Sequence, residues 1–290
     1  MPARPLDHLV LPVTDIAISR RRLTTLGFTV AADARHPFGT ENACVYFADK
    51  TFLEPLGIAS LEECRSSAQQ GNQFTARNEA FRFRNGPEGL SAIVMGSQDA
   101  DGDHAGFRAA GISAGDPLQF SRQMRFPDGQ ELTATFKLAF AADLRAPDLH
   151  AFTCQRVNVP AADRTALETH INGVLGIKAV ILTEPHPRDF EDFLKTVVGQ
   201  QALSWSNDGM TVAASNADIE VLNAVGARDF FGIDMPAGRG LRGAAILYRV
   251  VDIARLEQHL IAAGVSFIHH NSMTLVAHAA GQGVVFAFSE

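Results

Sequence analysis

Residues 6–28, LDHLVLPVTDIAISRRRLTTLGF, read as an apolar strand, an aspartate, a helix and a glycine. Ile16, Leu23 and Leu26 recur at helical spacing, and Gly27 stops the pattern where a left-handed cap belongs. The same word returns at 248–267, YRVVDIARLEQHLIAAGVSF, with Asp252 twelve residues before Gly264 as Asp15 stands twelve before Gly27. On that ruler Asp99 stands twelve before Gly111 and Pro187 twelve before Gly199, each behind a short apolar run, which makes four copies.

Behind each glycine come short segments rich in Val, Phe, Thr and Ala, such as ACVYFA with TFLEPLGI, ELTATFKLAFAA with HAFTCQRV, and MTLVAHA with GVVFAFSE. Each copy is therefore a strand, a helix and about three strands. Such a βαβββ unit cannot bury its sheet face alone and must pair with another. The predicted fold is α+β, with four units in two pairs. Polar stretches at 59–88 and 160–176 separate the copies, which places one domain at 1–160 and a second at 161–290.

Composition narrows the function classes. The chain has 290 residues, 46% hydrophobic and 20% charged, enough to bury a core. Cys44, Cys64 and Cys154 are odd in number and widely spaced, so buried free thiols are expected rather than a disulfide framework or zinc cluster. A net charge of -7 without a long basic run argues against nucleic acid and anionic membrane as partners. No uninterrupted apolar run reaches membrane-spanning length and the start lacks signal-peptide character, so a soluble, cytoplasmic protein is expected.

Four phrases carry a family resemblance: the opening strand with its histidine, ARHPFGTENACVYFADKTFLEPLG at 34–57, FSRQMRFPDGQ at 120–130 and HAFTCQ at 150–155. Together they resemble the glyoxalase-like domain of the vicinal oxygen chelate superfamily, over roughly 1–160. The resemblance implies paired βαβββ modules whose sheets form open cups, with a divalent metal (Zn, Fe, Mn, Ni or Mg) at the floor in many members. It also implies ligands from the first and last strands of a module, and a small-molecule substrate in the cup. The chemistry ranges over lyase, isomerase and dioxygenase reactions, while bleomycin-resistance members only bind their ligand. Homodimers are compatible with such modules.

Period two in LDHLVLPV puts Leu6, His8 and Val10 on one face and Asp7, Leu9 and Leu11 on the other, and in TFLEPLGI it groups Phe52, Glu54 and Leu56. Singly, His8 reads as a core histidine and Glu54 as an edge carboxylate beside Pro55. As a pair on the superfamily's two ligand strands they become candidate metal ligands, because one imidazole and one carboxylate form a common start to a divalent site. Seven residues before the other three helix starts stand Ala92, Val180 and Ala245, none able to bind a metal. A third ligand is therefore sought in Gln155 first and His150 second. Glu220 sits in the third copy as Glu54 does in the first, but with Val180 opposite it reads as solvent-facing or salt-bridged. The C-terminal pair accordingly reads as a degenerate copy that serves to cover, dimerise or shape the first cup.

The loop RHPFGTEN aims His36, Thr40 and Asn42 at the mouth of the cup, with His36 as general acid or base beside Glu54. Arg122, between apolar neighbours, either snorkels to an edge or offers its fork to a substrate anion. Two functions follow from the sequence. One is a metal-dependent enzyme that chelates adjacent oxygens of a small carbonyl, hydroxy-acid or aromatic substrate. The other is a metal-free binding protein, favoured by the empty ligand positions and by 20 Phe residues available to line a cleft.

Overall fold

A computed structural model describes residues 2–125, 131–160 and 163–290. Residues 126–130, the end of the FSRQMRFPDGQ phrase, lie outside this description. The first copy comprises β1 (Leu6–Pro12), α1 (Ile16–Thr25), β2 (Ala34–Arg35), β3 (Thr40–Asn42), β4 (Val45–Tyr46) and β5 (Phe52–Ile58), followed by α2 (Leu61–Gln69) and α3 (Gln73–Asn85). The second comprises β6 (Ala92–Ser97), α4 (Ala100–Ala109), β7 (Leu118–Arg125), β8 (Glu131–Ala141) and β9 (His150–Asn158). The third runs through β10 (Val174–Thr183), a 3-10 turn at Pro187–Phe190, α5 (Glu191–Val198), β11 (Ser204–Trp205), β12 (Gly209–Ala213) and β13 (Asp218–Leu222), with α6 (Ala224–Phe231) appended. The fourth consists of β14 (Arg242–Val250), α7 (Ile253–Ala262), β15 (Ile268–His270), β16 (Met273–Val276) and β17 (Val285–Ser289).

The chemistry behind the repeat is visible at both ends of its helices. Asp15, Asp99 and Asp252 each cap a helix by accepting from a backbone N–H three residues on, at 2.9, 3.0 and 3.1 Å. At the other end Gly27, Gly111, Gly199 and Gly264 take positive φ of 89, 71, 71 and 67°, which a side chain would resist. The third copy departs by one residue. Its capping position is His186, and Pro187 is the first residue of the turn, where a missing N–H costs nothing.

The copies pair as two sheets of the same design. The first runs β2-β3-β5-β1-β6-β9-β8-β7, with β4 also on β5, and the second runs β11-β12-β13-β10-β14-β17-β16-β15. In each, the two opening strands meet antiparallel at the centre (β1 with β6, β10 with β14), and each pairs in parallel with the closing strand of its own copy. β3 and β4 are two pieces of one strand along β5, interrupted at Ala43 and Cys44.

Three apolar layers result. Val10, Leu56, Val94, Leu138, Phe140 and Phe152 fill the first cup, where Phe74 of α3 packs against them. Ile181, Leu222, Leu247 and Leu275 fill the second. Between the cups, the backs of both sheets and their helices merge in one large core that includes Leu9, Leu11, Leu23, Phe47, Ile177, Val180, Tyr248 and Phe286. All three cysteines are buried and free.

Two positions depart from simple alternation. The β1–β6 register slips between Leu6 and His8, a bulge at Asp7. Leu6 therefore joins Leu9 and Leu11 in the central core, while Asp7 turns toward the side of His8. In the third copy Val180 faces the central core and Ala179 faces the second cup, so Ala179 holds the place of His8. Counting seven back from the true cap, His186, lands on Ala179.

Candidate active site

The first cup holds a partly open cavity of about 50 Å³ bounded by Asp7, His8, His36, Asn42, Glu54 and Arg122 among its polar residues. Glu54 on β5 is its centre. The parallel register sets Val10 opposite Glu54 and His8 opposite Phe52, so both functional side chains of the first copy project into the cup. His8 Nε2 lies 3.5 Å from Glu54 Oε2, and His36 Nε2 lies 3.6 Å from Glu54 Oε1. Each carboxylate oxygen thus has its own imidazole. Asn42 also donates to Oε1 at 2.6 Å.

The outer nitrogen of each ring is tied down as well. His8 Nδ1 meets Asp7 Oδ2 at 2.8 Å, and Arg156 pairs with the other oxygen of Asp7 at 2.7 Å. His36 Nδ1 meets Thr40 Oγ1 at 2.9 Å. Ring stacking completes the support, with Phe52 on His8 at 4.3 Å and Phe38 on His36 at 5.0 Å between centroids.

The RHPFGTEN loop reaches this place through a tight hairpin between β2 and β3. Gly39 turns it at φ +90°, and a Cβ there would stand 2.7 Å from the Ser60 carbonyl oxygen. Arg35 stays outside on Glu63, whereas His36, Thr40 and Asn42 are buried.

These contacts drive the two imidazoles apart. Burial pulls His8 toward neutrality, but Asp7 and Glu54 outweigh it and raise its pKa. Burial dominates at His36 and, helped by the charges of Arg122 and His8 against that of Glu54, lowers it to about 4. Burial likewise opposes the charge on Glu54, yet the His8 contact, the charges of both histidines and the Asn42 amide together hold its carboxyl at about 2. The contacts thus favour the charged form of His8, the ionised form of Glu54 and the neutral form of His36.

Gln155 and His150 do not join the pair. Gln155 alternates to the opposite face of β9 and binds the Ala100 N–H at 3.0 Å and the Gln98 carbonyl at 2.9 Å, serving the start of α4. His150 does face the cup, but β6–β9 register sets it opposite Ala92, the place that Phe52 holds in the first copy. The place equivalent to Glu54 is taken by Phe152, opposite Val94. Two of the four ligand positions are therefore the hydrocarbons Ala92 and Phe152.

A divalent ion does not fit the remaining donors. The two imidazoles address different oxygens of Glu54 rather than one point, and no group of three or more His, Cys, Asp or Glu among the described residues is arranged to hold an ion. In the second cup Glu220 lies opposite Ile181, half-buried rather than solvent-facing, and no salt bridge forms to it among the described residues. Burial and the nearby Asp218 raise its pKa.

Sequence reasoning missed Asp7 and Arg156, the pair that holds His8. Alternation hid Asp7, since only the bulge brings it to the cavity. Arg122 lies where expected, in the cavity wall on β7, its guanidinium 5.7 Å from the Phe136 ring.

Two paired-module cups with a buried histidine and glutamate on the first and last strands of one module define the vicinal oxygen chelate class. The sequence matches the glyoxalase-like domain family over residues 6–198, beyond the first sheet into α5, and the chain belongs to that family. Solved structures agree on the fold. A hypothetical protein from Staphylococcus aureus superimposes with TM-score 0.68 at 10% identity, covering 98% of both chains. A 4-hydroxymandelate synthase mutant from Streptomyces coelicolor gives 0.61 at 12% identity over 99% of this chain and 92% of that one. A Mn(II)-bound glyoxalase from Novosphingobium aromaticivorans gives 0.53 at 12% identity over 99% and 82%. No curated protein matches the sequence.

Proposed function

We propose that the first cup is the active site of a glyoxalase-like enzyme that moves a proton at the carbon beside a carbonyl or hydroxyl group of a small substrate, without a resident metal. The observation that carries this reading is the single buried carboxylate with an imidazole on each oxygen, the two rings shifted in opposite directions by their contacts. Paired titratable groups pushed apart in this way are the ordinary means of placing an acid and a base in one site.

In the proposed reaction His36, with its proton on Nδ1 shared with Thr40, accepts a proton from carbon at Nε2. His8, protonated on both nitrogens, donates a hydrogen bond to the substrate oxygen on which the enolate charge develops. In a hydroxy-carbonyl substrate, return of the proton to the neighbouring carbon, with His8 giving its proton to the former carbonyl oxygen and regaining one from the former hydroxyl, completes an isomerisation; return to the same carbon gives exchange with solvent. Glu54 keeps His8 charged and in place. The Phe-lined wall excludes water, which strengthens these interactions.

The test is deuterium incorporation from D2O into pyruvate and hydroxyacetone, followed by NMR. Exchange above background is expected from protein prepared in EDTA, with a drop of about a hundredfold or more in His36→Gln, in the range of general-base loss. No exchange, or exchange untouched in His36→Gln, would refute the reading. A metal-dependent enzyme remains the second reading because His8 and Glu54 stand on both ligand strands. Metal bound stoichiometrically by the wild type and lost in a His8→Ala, Glu54→Ala double variant would establish it instead.

A further inference from the structure

The walls of the first cavity carry more positive charge than they use. Asp7 is engaged on both oxygens, by His8 and by Arg156. Glu54 is engaged by His8 and Asn42. Arg122 is different. Its Nε is buried with no hydrogen-bond partner, and no carboxylate pairs with its guanidinium among the described residues. A buried guanidinium donor without an acceptor is costly, and arginine's fork is shaped for a planar two-oxygen anion.

The neighbourhood says where such an anion would lie. Arg122 projects from β7 toward the site, and its charge is felt at both His36 and Cys44. Phe120, two residues away on the same face of β7, sets its ring edge-on to His36 at 5.7 Å. An anion on Arg122 is thus held beside the two imidazoles. The part of the ligand held beside these groups is small, since the cavity's volume of about 50 Å³ takes only a few heavy atoms, a single water needing roughly 10–15 Å³ on this scale.

We propose that Arg122 is the recognition residue for a carboxylate, and that the molecule taken by the cup is a short 2-oxo or 2-hydroxy carboxylic acid rather than a neutral carbonyl compound. The proposal rests on the reading of this cavity as the substrate site. The carboxylate receives the Arg122 fork, while the adjacent oxygen reaches His8. Arg156 is not the anchor, because Asp7 already neutralises it.

The experiment compares binding of lactate and pyruvate with that of their neutral isosteres lactamide and pyruvamide, by ligand-observed NMR on the full chain. The carboxylates are expected to bind the wild type more tightly than the amides, and to weaken about ten- to a hundredfold in Arg122→Gln, the scale of a lost charge-assisted pair. Arg122→Lys, which keeps the charge without the fork, is expected to fall between. Amide binding unchanged in Arg122→Gln would show that the cavity is intact in that variant. Equal binding of acids and amides by the wild type, or a loss that follows Arg156→Gln instead of Arg122→Gln, overturns the proposal. Its failure is separable from that of the proton-transfer reading. Deuterium exchange into pyruvamide as fast as into pyruvate refutes the carboxylate and leaves proton transfer standing. Arg122-dependent lactate binding with no exchange in pyruvate does the reverse.

Discussion

His8 owes its charge to a neighbour one residue away. The bulge at Asp7 folds that carboxylate onto Nδ1, and Arg156 fixes it from behind. In Asp7→Asn one of the two carboxylates that raise His8 is lost while burial still pulls it down. An NMR titration of the His8 ring is therefore expected to show a lower pKa than in wild type, and an unchanged value would mean that Glu54 alone sets it. His150 gives the opposite case. Burial first, with the charge of Arg77 adding to it, lowers its pKa to about 3, and the Ser91 backbone opposes only in part. The unfolded chain takes up this proton near 6.5, so below that pH it binds more protons than the native state and stability falls as pH drops toward 3. His36 contributes in the same sense, and His8, whose pKa is raised, in the opposite one. Urea unfolding of His150→Leu across pH 4–7 should show a shallower acid loss than the wild type. Curves of equal slope would remove His150 as a cause.

Elements reach the site through turns whose chemistry is local. Gly39 is the most exacting, since its φ of +90° and the nearby Ser60 oxygen leave no room for a side chain. Gly39→Ala is expected to cost at least ~1 kcal/mol from the left-handed backbone alone, read as a lower urea midpoint. It should also displace His36 and so depress deuterium exchange; a variant as stable and active as wild type would show that the hairpin adapts. The repeat itself was legible because caps and terminal glycines are short-range features. Asp15, Asp99 and Asp252 announce themselves in sequence, and the positive φ behind each glycine follows from the same local need. The third copy lacks an aspartate at its cap: spacing counted from Pro187 puts Val180 in the cup, whereas the cap is His186, one residue earlier, and Val180 lies in the central core.

At the scale of the molecule, the two sheets meet back to back around Tyr248, whose ring packs on Phe28, Phe47, Phe286 and Phe288. Its hydroxyl is buried there with no hydrogen-bond partner among the described residues. Tyr248→Phe keeps the ring and removes an unsatisfied group, so stability is expected to hold or rise by about 1 kcal/mol in thermal unfolding. A fall of that size would reveal a partner for the hydroxyl. The sequence by itself determined the four βαβββ copies, the α+β class, the family and the candidacy of His8, Glu54, His36, Thr40, Asn42 and Arg122. These rest on periodicity, caps and turns, interactions spanning a few residues. Only the tertiary structure decided which side chains share a cavity. A register slip of one residue brought in Asp7, and the β6–β9 pairing put Phe152 at the place equivalent to Glu54. Alternation on β9 sent Gln155 to the far face. Side-chain direction in a sheet reverses with each residue, so a site assembled from five strands is fixed by registers that no local pattern records.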